Sequence, residues 1–190
     1  MTLDTGRLLV RRFCARDAEG LFALMSDPET CADEGGYPPV AEMDAAFLAM
    51  VEWFSADPDR FAIVLKESGV TAGVVRLMDP EPSNGVPALE VGHAVRKGYR
   101  RNGISLKALR AVAEDCFTRV GAEALRASTY DFNAASQGLC CDDCEDSAEP
   151  PRQNRNLRLT PRAQARSRPR ASSKCGQKWP TTNSASNPSR

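Results

Sequence analysis

A basic loop that ends in a glycine and directly precedes an amphipathic segment is the feature of the sequence best suited to chemistry. Residues 96–103 read RKGYRRNG; they follow a branched apolar run that ends at Val95, and Ile104 begins a stretch with helical periodicity. Backbone amides at a helix amino terminus lack partners and carry the positive end of the helix dipole, so they bind anions. Gly103 lets a phosphate approach the backbone closely, and Ser105 is small. The context predicts a diphosphate site, whereas the bare spacing alone favours a solvated turn.

The six residues RRNGIS, from Arg100 to Ser105, resemble the pyrophosphate signature [RQ]-x-x-G-x-[GA] of the GNAT superfamily of N-acetyltransferases. Arg100 and Gly103 match that signature, and Ser105 stands where glycine or alanine is usual. The resemblance covers roughly residues 3–137. Within the superfamily, the sequence is similar to the branch that includes ribosomal-protein alanine acetyltransferases. It is also carried by Thr5 to Phe13 with Asp17, by Glu90-Val-Gly92, and by an N-x-x-S motif from Asn133 to Ser136.

This resemblance implies acetyl-CoA as the acetyl donor and a primary amine, of a protein amino terminus or a small molecule, as the acceptor. The backbone near Val95 would pair with pantetheine, Asn133 would hydrogen-bond the cofactor, and Ser136 is a further candidate. The remaining implied cofactor-binding residues belong to the loop and the first turn of the helix: Arg100, Arg101, Asn102, Gly103, Ile104 and Ser105.

Glu90 is the candidate catalytic residue. Attack by an amine on a thioester requires the amine to lose a proton and the developing oxyanion to be stabilised. The family usually uses a carboxylate as the base, directly or through water, and Glu90 lies on the strand that resembles the family's fourth. An exposed strand glutamate is the competing interpretation. His93 shares the apolar strand face with Val91 and Val95, so it is predicted to be a packed core residue rather than a base.

The apolar pattern predicts a strand, two helices, three strands, a helix and a strand, which is a mixed α/β (α+β) domain. The resemblance implies the GNAT fold, a partly antiparallel twisted sheet flanked by helices. Asp17 is predicted to cap the first helix and Gly121 to end the last one. The predicted strands are 7–13, 61–65, 71–78, 89–95 and 125–130, and the predicted helices are 17–25, 43–54 and 104–119.

Cysteine content and hydropathy predict a cytoplasmic protein without a membrane partner. Only three of the seven cysteines precede residue 138, and they show no close pairing, so a secreted disulfide framework is disfavoured. No apolar run has membrane-spanning length, and the amino terminus lacks the order of a signal peptide. The oligomeric state is left open.

Charge divides the chain into an acetyltransferase-like domain, residues 1–137, and a tail, residues 138–190. The domain has 15 basic and 20 acidic residues; residues 138–149 add five acids, and residues 150–190 carry ten bases and no acid. Few apolar residues follow Glu149, so the tail cannot bury enough surface to offset the entropy of ordering and is predicted to be disordered.

The composition of the tail allows three further interpretations. Cys141 and Cys144 have the spacing of a zinc site, but a structural site needs four ligands. Only Cys140 and the distant Cys175 remain in the tail, with no histidine, so a zinc site is disfavoured. The basic stretch could bind polyanions such as RNA, but it lacks interleaved aromatics, which favours a solvated tail. Finally, Leu-Cys-Cys-Asp-Asp-Cys, read from the third base of each codon, spells Leu-Leu-Arg-Arg-Leu when the ambiguous bases suit, which is close to the helix expected of the family. We therefore hypothesise translation in a shifted frame after about Gln137.

Loss of the family's last helix and two strands would leave the strand over 125–130 with an exposed edge and the acceptor side incomplete. The alternative to an active enzyme is therefore an inactive GNAT remnant whose basic tail binds polyanions.

Overall fold

The computed structural model describes residues 1–78, 88–130, 132, 133, 136, 139, 145–146 and 154–159. The strands are Thr2–Asp4 (β1), Leu8–Arg12 (β2), Arg60–Leu65 (β3), Thr71–Met78 (β4), Ala88–Val95 (β5), Ala124–Tyr130 (β6), Glu145–Asp146 (β7) and Asn154–Leu159 (β8). The α-helices are Ala18–Met25 (α1), Pro28–Asp33 (α2), Ala45–Ala56 (α3) and Ile104–Asp115 (α4). No helix among these residues is long and apolar enough to cross a membrane.

The described strands form one mixed sheet in the order β1-β2-β3-β4-β5-β6-β8-β7. Neighbouring strands are antiparallel except β5 and β6, which are parallel. This parallel pairing extends over only Ala88 to Glu90 on β5 and Ala124 to Arg126 on β6. Both strands continue in the same direction beyond these pairs, so they separate and leave an opening between residues 91–95 and 127–130.

A hydrophobic core lies on each face of the sheet. One face packs against α4, whose Ile104, Ala108 and Val112 are buried with Val91 and Val95 of β5. The other face packs against α1 and α3, because the alternate strand positions contribute Ala62, Val64, Val74 and Ala94 to a cluster with Leu21, Phe47 and Val51. Strand alternation therefore places Glu90, like Ala94, on the face of α1 and α3.

The predicted order of strands and helices is confirmed, and α4 begins at Ile104 as expected. A π-helical turn, Cys116–Val120, continues α4, and Gly121 ends it in the left-handed conformation (φ 77°). Within residues 1–130, two short elements, β1 and α2, were not predicted. The α2 helix has Pro28 in its first turn and is capped by Asp27, whose carboxylate accepts from the Thr30 amide at 3.0 Å.

The prediction that Asp17 caps α1 through its side chain is wrong. The Asp17 carboxylate instead accepts hydrogen bonds from both Arg11 terminal nitrogens, each at 2.8 Å, and from Thr71 Oγ1 at 2.5 Å, and it accepts from no amide of α1. Burial opposes ionisation of Asp17, but bonds from Arg11, Thr71 and the Cys14 amide outweigh it and lower its pKa. The residue ties α1 to β2 and β4.

The prediction that the strand over 125–130 has an exposed edge is also wrong. Residues 154–159 pair antiparallel with all of β6 except Ala124, from Leu125 with Leu159 to Tyr130 with Asn154, and residues 145–146 pair with β8. Disorder of the tail as a whole stays a prediction. Apart from Leu139, the rest of the tail, with Cys140, Cys141, Cys144 and Cys175, lies outside the described residues.

Replacing Asp17 by Ala should lower the free energy of unfolding by about 3 kcal/mol or more, because Arg11 is left largely buried without its partner. Urea unfolding measures this loss. The folded-state pKa of Asp17 is lowered, so its contribution is present above the ordinary carboxyl pKa and is lost as the pH falls through the lowered value. Asp59→Ala, at an exposed position in a turn, is the control and should change stability by about 0.5 kcal/mol or less. Equal losses in the two variants would refute the role given to Asp17.

Candidate active site

The loop between β5 and α4 presents a row of unbonded backbone amides. A 3-10 turn over Lys97–Tyr99 ends at Arg100, and the chain then passes through Arg101 (φ 61°) and Gly103 (φ 66°) in the left-handed region. The first hydrogen bond that closes α4 runs from the Lys107 amide to the Gly103 carbonyl at 3.1 Å. The amides of residues 101–105 therefore donate to no acceptor in the described part of the chain.

Two backbone features make this loop suitable for binding an anion. Arg101 has the one positive φ among described residues other than glycine, and such conformations concentrate at ligand sites. A Cβ at Gly103 would have only Arg7 Nη2 within 4 Å, at 3.8 Å, so the approach to these amides is open. Concave rows of amides at a helix start bind phosphates. The residues present therefore fit a diphosphate.

Most basic side chains of the loop are bonded to protein groups and are therefore not available to an anion at the unbonded amides. Arg96 donates to the Thr71 carbonyl at 3.2 Å, and Lys97 pairs with Glu29 at 2.5 Å. Arg101 is exposed and has no ion-pair partner among the described residues, while Arg7, just before β2, donates to the Asn102 carbonyl. Backbone amides, with Arg101, therefore supply most of the attraction for an anion.

Arg100 fastens the loop to α2. Its guanidinium donates to the Val95 carbonyl at 3.1 Å, to Thr30 Oγ1 at 2.6 Å, to Asp33 at 3.1 Å and to Glu29 at 3.2 Å. The side chain is thus occupied by protein groups, and its contact with a cofactor stays a prediction. The same applies to Val95, whose carbonyl already accepts from Arg100.

Asn133 holds α2 from the other side of the opening. Its Nδ2 donates to the Asp33 carbonyl at 3.0 Å, and its Oδ1 accepts from the Ser136 amide at 2.9 Å. One Nδ2 hydrogen is left for a ligand, so a bond from Asn133 to the cofactor stays a prediction. Asp33 therefore connects both sides of the opening, through its carboxylate to Arg100 and through its carbonyl to Asn133.

Glu90 occupies the last paired position before β5 and β6 separate. It lies beside Arg126 in the register, and its Oε1 accepts from Ser128 Oγ at 2.8 Å. Glu90 is half-buried, on the sheet face of α1 and α3. Its location at the start of the opening suits a base, and that role stays a prediction.

His93 is buried as expected, and burial lowers its pKa to about 4, so it is uncharged at neutral pH.

Sequence reasoning missed Glu34, the residue that follows α2. Glu34 is only 8% exposed, and it lines a cavity of about 760 Å³ together with Tyr130 of β6 and residues of α3. Burial, with Asp33 nearby, raises the pKa of Glu34 well above its ordinary value, although Arg100 opposes this. No periodicity or motif marks this position, because its environment arises only when α2 packs beside β6.

A family model of the acetyltransferase (GNAT) domain matches residues 7–140. This chain belongs to the GNAT acetyltransferase family. No curated protein matches its sequence.

Solved structures of GNAT proteins are similar to this chain in fold. A GNAT-family acetyltransferase from Bacillus anthracis has a TM-score of 0.65 and 15% identity, over 84% of this chain and 98% of that one. Mycobacterium smegmatis RimJ, in complex with CoA-disulfide, has a TM-score of 0.62 and 15% identity, covering 87% and 90%. A ribosomal-protein-S5-alanine acetyltransferase from Vibrio fischeri has a TM-score of 0.59 and 14% identity, covering 84% and 96%. At these identities the likeness shows the GNAT fold, as the sequence predicted.

Arg100→Ala should release α2 from the loop, because it removes the hydrogen bonds to Thr30, Asp33 and Glu29. Hydrogen exchange should become faster at the amides of Cys31, Glu34 and Gly36, which are bonded within and just after α2. Lys97→Ala is the control, since its exposed pair with Glu29 is worth at most about 1 kcal/mol. Unchanged exchange in Arg100→Ala would contradict the fastening role.

Proposed function

We propose that this GNAT protein transfers an acetyl group from acetyl-CoA to a primary amine, with the amides of residues 101–105 binding the pyrophosphate. The observation that carries the proposal is this row of unbonded amides at the start of α4. It lies beside the β5 edge that β6 leaves unpaired. Acetyl-CoA would supply the acetyl group as a thioester.

The separation of β5 and β6 supports a place for the pantetheine arm. Beyond Glu90 the β5 edge has no β6 partner, so backbone groups near Val95 can pair with an extended ligand as a strand would. Asn133 borders the other side of the opening and keeps one amide hydrogen for the ligand. The Mycobacterium smegmatis RimJ structure, which contains CoA-disulfide, has the same fold.

Glu90 is proposed to accept the proton of the acceptor amine, directly or through water. Its carboxylate keeps lone pairs beyond the one that Ser128 Oγ occupies, and it stands where the opening begins. The hydrogen bond from Ser128 Oγ orients the carboxylate.

Acetyl-CoA should raise the melting temperature of the wild-type protein, since a ligand at about one hundred times its Kd adds about 2.7 kcal/mol. Gly103→Glu should abolish the shift, because it places a carboxylate and a strained backbone at the amides. Gly69→Glu is a matched control: its φ of 70° imposes the same strain and the same charge at an open turn elsewhere. A shift retained in Gly103→Glu would refute the pyrophosphate site. A folded wild type without any shift would favour the inactive remnant.

Glu90→Gln should lower kcat for an acetylated amine by about 100-fold or more, the usual loss for a general base. The thermal shift with acetyl-CoA should stay within experimental error of the wild type, because the pyrophosphate site is untouched. Initial rates across the pH range measure the effect, and the base-dependent limb should disappear in the variant. A wild-type kcat in Glu90→Gln would exclude the residue as the base.

A further inference from the structure

The cavity of about 760 Å³ next to Glu34 has aromatic walls. Its lining includes Tyr37, the α3 residues Phe47, Trp53 and Phe54, and Tyr130 at the end of β6. Such a volume and apolar lining are typical of a small-molecule site. Gly35 makes room for the Tyr130 side chain, because a Cβ at position 35 would lie 2.6 Å from Tyr130 Oη.

Glu34 gives this cavity a carboxyl group without a protein partner. Its side chain accepts no hydrogen bond from any residue that the structure describes, although the residue is 8% exposed. Burying a carboxyl without partners is costly, and such groups in native proteins call for an explanation. A ligand that donates hydrogen bonds into the cavity provides one.

The charges around the cavity favour a cation. Glu34, Glu42 and Asp44 line it, and its one lining base within the described residues, Arg60, donates from Nε to Asp57 at 2.8 Å, while its buried Nη2 has no partner among those residues. Tyr37 and Cys31, near Glu34, remain uncharged, because burial raises the pKa of both groups. The guanidinium of Arg60 already lies over the Trp53 and Phe54 rings, at 4.0 and 3.8 Å, so further attraction for a cation comes from the Tyr37 ring.

The cavity also adjoins the proposed acetyl-transfer cleft. Asp33, the residue before Glu34, is held by Arg100 of the pyrophosphate loop at 3.1 Å and by Asn133 at 3.0 Å. Tyr130 lines the cavity from the end of β6, on the far side of the opening. An amine held at Glu34 would therefore lie beside α2 and the end of β6, next to the opening.

We propose that the cavity is the acceptor site, and that Glu34 binds the ammonium group of an acceptor whose body is apolar, preferably aromatic. This inference rests on the proposed acetyl transfer and adds the substrate class. Glu34 selects the amine and positions it, while Glu90 takes the proton. Ionised Glu34 is the form that binds, so the affinity for the amine rises as the pH passes through the raised pKa of Glu34. Burial and the nearby Asp33 raise that pKa, and Arg100 lowers it.

Phenethylamine is the probe, since it joins a primary ammonium to an aromatic ring. Its binding to the protein with saturating CoA, measured by calorimetry, should be about tenfold or more tighter than that of ethanolamine, which lacks the apolar body. Glu34→Gln should weaken phenethylamine by about tenfold or more and abolish the rise in affinity with pH. Glu42→Gln, at an exposed position on the same cavity, is the matched control and should change affinity by about twofold at most.

The outcomes separate this inference from the proposed function. If phenethylamine binds through Glu34 but is not acetylated, acetyl transfer fails and the cation site stands. Equal binding of phenethylamine and ethanolamine, or unchanged binding in Glu34→Gln, overturns the inference, whatever acetyl-CoA does to the melting temperature. Where acetylation occurs, Glu34→Gln should raise KM at nearly constant kcat. A fall in kcat at constant KM would make Glu34 the base and would also overturn the assignment.

Discussion

The short pairing between β5 and β6 is the constraint on which the proposed site depends. Parallel hydrogen bonds join these strands only as far as Glu90 and Arg126, after which each strand continues without the other. A fully paired sheet would leave no space between them, and the start of α4 would then face a closed edge. Because the pairing stops, the amides of residues 101–105, the free edge of β5 and the end of β6 all border one opening.

The α2 helix connects the two sides of this opening. Asp33 accepts from Arg100 through its carboxylate and from Asn133 through its carbonyl, so the pyrophosphate loop and the end of β6 hold the same turn. Glu34 follows directly and faces the aromatic cavity. Hydrogen bonds among Arg100, Asp33 and Asn133 thereby connect an anion bound at the loop to the wall of the proposed acceptor cavity. This connection requires no change of fold.

Local signals predicted five strands, β2 to β6, three helices and the loop, because apolar periodicity and the Gly103 position are properties of neighbouring residues. Side-chain partners far along the chain were not predictable in this way. Asp17 has the sequence signal of a helix cap, yet Arg11 and Thr71 bind its carboxylate; Arg100 is occupied by α2, and Glu34 has no motif at all. Residues 154–159 look unsuited to a buried strand, and they pair with β6 through backbone bonds that composition does not reveal. These differences all arise from tertiary contacts.

The central claim is that the amides at the start of α4 bind the pyrophosphate of acetyl-CoA. A crystal structure of the protein with CoA tests it most directly. The account predicts pyrophosphate oxygens within hydrogen-bonding distance of the amides of residues 101–105, about 2.7–3.2 Å, and pantetheine along β5 towards Glu90. CoA bound elsewhere, or with its pyrophosphate held by side chains while these amides face solvent, would contradict the account.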